Sequence, residues 1–215
     1  MFKKIIDLSI PITTETPVYP GDPVPNITPA AELAKDGYQV TSLNIGSHTG
    51  THVDAPYHFQ QEGDRIDESD LVKFMGRGVV LDVRGKKPGE EITFADVAEQ
   101  LENIRSENIV LFQTGWSQFI GTETYFNHPY LSVEIITHLL EKGVRTFFID
   151  ALNVDPPDGS AFPVHDAITG VNGIIGENFC NFDKIDFPDP LIIALPLKLQ
   201  GLDGSPVRAV AVEMD

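Results

Sequence analysis

The sequence predicts an α/β (α+β) fold built on a central mixed sheet, and three observations carry that expectation. Apolar, β-branched runs of strand length alternate with two stretches of helical periodicity. Gly- and Pro-rich breaks separate them, with no internal repeat and no low-complexity linker. The chain has 215 residues, 41% hydrophobic and 22% charged, which suits one globular domain spanning residues 1–215 with a sizeable core.

Element by element, Lys4–Ile12 reads as a strand. A proline-rich loop follows, with Pro17, Pro20, Pro23 and Pro25 around Gly21-Asp22. Gln39–Ile45 is a second strand that runs into a histidine-rich stretch. Asp67–Met75 opens with acidic residues and suits a short helix, and Gly78–Val83 is a β-branched strand. Thr93 is placed to cap a helix over Phe94–Ile104, where Ala95, Val97, Ala98 and Leu101 recur at helical spacing. Asn108–Thr114 is a buried strand ending at Gly115-Trp116. Ser132 is placed to cap the helix Val133–Lys142, which stops at Gly143. Thr146–Asp150 is another apolar strand. Leu191–Leu195, halted by Pro196, and Pro206–Val212 complete the sheet. Functional sites in such folds gather on loops at strand ends, so the loops after Ile45, Thr114 and Asp150 draw attention.

Charge and cysteine usage narrow the function classes. The formal net charge of −17 repels nucleic-acid phosphates and anionic membranes, so neither is an expected partner. The single cysteine, Cys180, excludes an internal disulfide and reads as a small core residue rather than a nucleophile. Residues Met1–Ile12 lack a signal-peptide cleavage pattern, no 18-residue apolar run exists, and the expected location is the cytoplasm. No Gly-x-Ser-x-Gly nucleophile elbow appears.

The stretch from Ser47 to Phe59 holds three of the six histidines, His48, His52 and His58, together with Asp54. Imidazole nitrogens and a carboxylate oxygen are ligands for zinc, manganese or iron(II). Gly50, the β-branched Thr49, Thr51 and Val53, and Pro56 argue against a helix here. In an extended chain the even-numbered His48, His52, Asp54 and His58 share a face, Gly50 leaves room for an ion, and the odd-numbered residues pack behind. His48, His52 and Asp54 are read as metal ligands and Thr49 and Thr51 as structural. His58 is read as a general acid/base, with a supporting or ligand role as the alternative.

A second set lies late in the chain. The Pro/Asp/Gly-rich loop Ala151–His165 contains Asn153-Val154-Asp155-Pro156-Pro157-Asp158-Gly159 and ends at His165, and Glu177 follows twelve residues later. Glu177 is flanked by Ile174, Ile175 and Phe179, and a carboxylate in apolar surroundings needs a cation or hydrogen-bond partner. An exposed turn is the equal alternative.

The cluster from His48 to Phe59 resembles the signature of the "putative cyclase" family of metal-dependent hydrolases, which includes bacterial kynurenine formamidases and isatin hydrolases. The resemblance extends to Asp7-Leu8-Ser9, Pro17-Val18-Tyr19-Pro20-Gly21-Asp22, Thr114-Gly115-Trp116, His128-Pro129-Tyr130-Leu131-Ser132 and His165 with Glu177, in matching order. It implies a swivelling β/β/α fold, a homodimer or homotetramer, and a site for two divalent ions per chain, zinc with manganese as the alternative. His48, His52 and Asp54 would hold one ion, Asp54 would bridge to the second, and His165 and Glu177 would complete it. His58 matches the proton donor/acceptor. The implied activity is hydrolysis of a small amide by metal-activated water, formamidase-like. Ring-opening of a cyclic amide, imide or lactone, or a silent metal-binding protein, are the alternatives. Kynurenine formamidases carry Trp where Tyr19 stands, so the pocket is expected to be more polar and N-formylkynurenine is in question. Tyr19, Phe59 and Trp116 are candidate substrate contacts, with core packing the alternative for the last two. His128 is placed at the pocket or, as the simpler expectation, at the surface.

Overall fold

The computed structural model describes residues 1–215. A nine-stranded sheet carries the fold. Its strands lie in the order Phe2–Asp7, Val210–Met214, Leu191–Ile193, Met75–Asp82, Ile109–Gln113, Thr146–Ile149, Ile174–Glu177, His52–Asp54 and Gly204–Pro206. The four strands from Met75–Asp82 to Ile174–Glu177 run parallel, and both flanks are antiparallel.

The sheet is covered on both faces, which is why its central strands are continuous apolar runs rather than alternating ones. Along Ile109–Gln113, Val110 and Phe112 join one core with Val97, Leu101, Ile135 and Leu139. Ile109 and Leu111 join the other with Phe148, Phe179 and Ile192. The helix Val133–Glu141 presents Ile135, Ile136 and Leu139 to the first core. The sheet curls around the second core. Ser9, beyond the first edge strand, bridges Phe179, and the Cys180 N–H donates to the Leu8 carbonyl at 3.0 Å. No helix is long and apolar enough to cross a membrane.

The mixed α+β architecture agrees with the sequence expectation, and the differences are local. The Phe94 helix keeps its capping box, with Thr93 and Asp96 bonded reciprocally. Its α-helical part ends at Val97 and tightens into a 3-10 turn, Ala98–Gln100, where the Gln100 side chain bonds both backbone groups of Asp82. Ser132 stands at the N-cap of Val133–Glu141, but its hydroxyl makes no capping bond. The Asp67–Met75 helix is one 3-10 turn, Leu71–Phe74. The expected strand Pro206–Val212 is divided into Gly204–Pro206 and Val210–Met214. Not expected from the sequence are the strand Asn26–Ala31, which forms an exposed ribbon with Val40–Asn44, the short helix Leu33–Asp36, the two-residue strands Glu91–Ile92 and Tyr130–Leu131, the helix Pro163–Thr169, the strand Ile174–Glu177 and several short 3-10 turns.

Candidate metal centre

The site is built on the short strand His52–Asp54 and what flanks it. His52 and Asp54 are two residues apart and share a face, while Val53 between them points into the second core. On one side Glu177 pairs with His52 in the antiparallel register, and on the other Gly204 pairs with Asp54. Gly204 has no room for a side chain, because a Cβ there would lie 2.8 Å from Cε1 of His48. His165 enters from the first turn of Pro163–Thr169.

His48 reaches the group by a different route from the one its spacing suggests. Residues 47–51 form a turn, not an extended run, and Gly50 is left-handed at φ 69°. Gly50 does not make space for an ion: a Cβ there would sit 2.9 Å from Cγ1 of Ile12. The turn folds His48 back until its Nδ1 lies 2.7 Å from Oδ1 of Asp54. Thr49 and Thr51 are structural, accepting the Gly46 and Ile10 N–H groups through their hydroxyls. Pro56–His58 is a 3-10 turn rather than an extension of the strand.

Five side chains converge. Nε2 of His52 lies 3.3 Å from Oδ1 of Asp54 and 3.6 Å from Oε2 of Glu177. Nε2 of His165 lies 3.6 Å from both Oδ2 of Asp54 and Oε1 of Glu177. These five form two overlapping donor sets, His48–His52–Asp54 and Asp54–His165–Glu177, with Asp54 in both, and a third and more exposed set, His48–His58–Asp203, shares His48. The outward nitrogen of each histidine is held by a hydrogen-bond acceptor. Nδ1–H of His52 donates to the Gly50 carbonyl at 2.8 Å, Nδ1–H of His165 to Asp155 at 2.7 Å, and Nε2–H of His48 to Asp203 at 3.0 Å. These bonds fix the ring orientations and turn one nitrogen of each ring inward. Nε2 of His52 and Oδ2 of Asp54 are buried without any hydrogen-bond partner. Buried polar atoms are rarely left so, because the desolvation cost is not recovered. A divalent cation satisfies both, so the residues fit the metal that the donor set implies.

The charges tell the same story. Burial pushes the three imidazoles down, but the carboxylates outweigh it. Asp54 lifts His48 to about 9, Asp54 and Glu177 lift His52 to about 10, and Asp155 and Asp54 lift His165 to about 10. Burial alone raises Asp54, yet His48 and His52 hold it well below the usual carboxylate range. The cluster of carboxylates therefore demands positive charge, supplied by protons or by a metal.

A cavity of about 150 Å³ opens over these residues, walled by Tyr19, Phe59, Phe162 and Leu152, with His58 and Asp22 at its polar edge. The model of the family described as "Putative cyclase" matches residues 6–156. The chain belongs to this cyclase family. A kynurenine formamidase from Bacillus cereus (strain ZK / E33L) is 34% identical over 218 residues, covering 95% of each chain. The crystal structure of an isatin hydrolase bound to the product analogue thioisatinate superimposes with a TM-score of 0.91 at 21% identity, covering 99% of this chain and 93% of that one. A structure described as a potential metal-dependent hydrolase with cyclase activity superimposes at 0.80 with 26% identity, covering 99% and 98%.

Within this cyclase-family chain, Tyr19 and Phe59 do line the cavity, and Trp116 does not. The Trp116 indole is buried against Phe119 and donates its N–H to the Tyr125 carbonyl at 3.2 Å, so it packs the core. His128 is fully buried rather than at the surface, and is not part of the cavity wall. Burial lowers its pKa. Glu177 is a strand residue, not an exposed turn, and His165 is on a helix rather than a loop. Sequence reasoning assigned no role to Asp155, Asp203 or Phe162. Asp203 sits in Gly201-Leu202-Asp203-Gly204, which reads as an ordinary surface turn. Asp155 carried a signal, a carboxylate ten residues before a candidate ligand in a proline-rich loop.

Proposed function

We propose that this protein is a metal-dependent hydrolase that cleaves a carbon–nitrogen bond of a small non-peptide amide. The observation that carries the reading is the pair of unpartnered buried atoms, Nε2 of His52 and Oδ2 of Asp54, at the centre of two overlapping donor sets. The 34% identity to a kynurenine formamidase over nearly the whole chain supports the reaction class. His48, His52 and Asp54 would hold one ion and Asp54, His165 and Glu177 a second, which we take to be zinc, with manganese as the alternative. The chemistry such an ion would supply there is activation of water near neutral pH and polarisation of a carbonyl oxygen.

The chain's own residues do the rest. The buried carboxylates set the spacing of the donors, and their hydrogen-bonded neighbours hold the rings in place. The aromatic walls Tyr19, Phe59 and Phe162 accept a flat, mainly apolar substrate and exclude bulk water from the reacting carbonyl. His58 stands at the cavity edge with Nδ1 turned toward Asp203, 3.6 Å away, which leaves Nε2 to exchange a proton with the substrate. It donates that proton to the departing nitrogen, a contribution of about 10²–10⁴-fold to rate. Ring-opening of a cyclic amide, imide or lactone uses the same groups. The hydroxyl of Tyr19, where kynurenine formamidases have an indole, favours testing it. We further propose a cytoplasmic homodimer or homotetramer that acts on a small molecule and on neither nucleic acid nor membrane. The net charge of −17 supports the last part.

The test is a panel of amides, imides and lactones assayed before and after chelation, with elemental analysis of the purified protein. Two ions per chain with chelator-sensitive turnover of an amide is the expected result. His58→Ala is expected to keep its metal and lose about 10²–10⁴-fold in kcat. Metal lost together with activity would make His58 a ligand, and firm metal binding with no turnover of any compound would overturn the hydrolase reading.

A further inference from the structure

We propose that Asp203 is a positioning residue for proton transfer, using one carboxylate oxygen to hold His58 in the tautomer that presents Nε2 to the substrate while also orienting His48. The inference rests on the hydrolase reading above and adds a residue to it.

The rings of His48 and His58 lie 4.1 Å apart between centroids, inclined by 32°. Oδ2 of Asp203 faces both: it is 3.0 Å from Nε2 of His48 and 3.6 Å from Nδ1 of His58. Asp203 is the nearest acceptor to the His58 ring, which makes no hydrogen bond and otherwise meets only aromatic edges, Phe59 at 4.7 Å and His165 at 5.9 Å. A partly exposed imidazole with no acceptor on either nitrogen is free to rotate and to exchange tautomers. Oδ2 of Asp203, 3.6 Å from Nδ1, is the acceptor placed to bias it, and closing that gap by a few tenths of an ångström makes the hydrogen bond.

The carboxylate can do this because its backbone is fastened to the segment that bears the histidines. The Asp203 carbonyl accepts the Ala55 N–H at 2.9 Å. Gly204 pairs with Asp54, and the neighbouring Leu202 carbonyl accepts the Ile66 N–H at 3.0 Å. The chain before and after Asp203 is thus tied to both sides of residues 54–66. The missing side chain of Gly204 admits the His48 ring against it. The backbone of a residue 145 positions from His58 in sequence is therefore held against the segment that bears it.

The role follows from imidazole chemistry. With Nδ1–H directed toward Asp203, the neutral ring presents the Nε2 lone pair, which takes a proton from the attacking water. As the carbon–nitrogen bond breaks, Nε2 passes that proton to the departing nitrogen, and the carboxylate 3.6 Å from Nδ1 keeps the ring aimed through the step. The same oxygen holds Nε2–H of His48, so its Nδ1 faces Asp54.

The experiment compares zinc-loaded wild type with Asp203→Ala and Asp203→Asn. Long-range proton–nitrogen NMR of the imidazoles, with His58 assigned by its loss in His58→Ala, reports the tautomer without reference to turnover. The wild type is expected to hold His58 with Nδ1 protonated, Asp203→Ala to show a mixture, and Asp203→Asn, which keeps an acceptor, to fall between. On any compound that the panel turns over, measured at saturating zinc, Asp203→Ala should lower kcat by about 10–100-fold with KM little changed, and Asp203→Asn should recover part of it. In the His58→Ala background, Asp203→Ala should lower kcat no further. An unchanged tautomer in Asp203→Ala overturns the proposal. So does an equal loss of kcat with and without His58, or full restoration of wild-type kcat by excess zinc, which would leave only the His48 contact. A wild type that hydrolyses nothing defeats the hydrolase reading alone, because the tautomer comparison still decides the Asp203 contact.

Discussion

Replacing Asp155 with Asn tests how much of the metal centre depends on a residue that touches no metal. Asp155 is fully buried. Its Oδ1 accepts the Val164 N–H at 2.8 Å, and its Oδ2 accepts both the His165 N–H at 2.9 Å and the His165 Nδ1–H at 2.7 Å. The first two donors belong to the opening turn of Pro163–Thr169, whose own N-cap residue, Phe162, offers no side-chain bond. One carboxylate thus caps the helix and aims the ring. An amide of the same shape can satisfy one side only. With its oxygen toward His165, its NH₂ faces the Val164 N–H and strands a buried donor, which costs about 1–3 kcal/mol. Losing the negative charge at the helix start costs a further ~1 kcal/mol. The sum, about 2–4 kcal/mol, corresponds to a fall in Tm of about 4–16 °C for a chain of this size. Loss of the charged acceptor behind His165 should weaken metal binding by about 10–100-fold. Calorimetric melting of the metal-free protein and zinc titration against a competing chelator measure the two effects separately. Wild-type zinc affinity in a destabilised Asp155→Asn would reduce Asp155 to a helix cap, and an unchanged Tm would refute the hydrogen-bond account altogether.

Three further outcomes follow from the same geometry. His48, raised to about 9, and His52 and His165, raised to about 10, lie above the ordinary value of about 6.5, so their protonation stabilises the metal-free fold fully below pH ~6.5 and progressively less as pH climbs through 9–10. Melting of the metal-free protein should therefore fall from pH 7 to 10, zinc binding at pH 7 should release protons, and a flat melting profile would contradict the proposed balance of charge. Gly50→Ala forces a side chain into a left-handed residue against Ile12 and displaces the carbonyl that holds His52; a loss of roughly 1–2 kcal/mol is expected, with weaker zinc binding by titration, and wild-type values for both would show that the turn is dispensable. Trp116→Phe removes one buried hydrogen bond, worth about 1 kcal/mol in chemical denaturation, and should leave kcat and KM as they were; a tenfold change in KM would put Trp116 back at the substrate.

Much of this site is legible in the sequence where chemistry and local periodicity coincide. His52 and Asp54, two apart among β-branched neighbours, share a face on a strand as their spacing predicts. The run Ile109–Gln113 reads as a strand covered on both faces because all its residues are buried. What the sequence hides depends on partners far along the chain. The turn that brings in His48 is set by Gly50 packing on Ile12, and alternation alone points to an extended segment. The strand Ile174–Glu177 is masked by Gly176, a poor strand residue kept because the rings of Phe148 and Phe179 fill the space where its Cβ would be. Asp155 and Asp203 act through hydrogen bonds to residues ten and 155 positions away; the proline-rich loop before His165 hints at the first, while no local pattern distinguishes Asp203 from an acidic turn residue.

Val53 gives the arrangement its last property. It is a peg of hydrocarbon driven into the curled half of the sheet, and the two neighbours that carry the chemistry are its immediate flanks. Sliding this segment by one position would expel Val53 into the polar cavity and bury His52 or Asp54 among phenylalanines, so oil and charge cannot change places gradually. The donors are consequently set out by the packing of the core itself: the same strand that buries Val53 fixes the positions of His52 and Asp54.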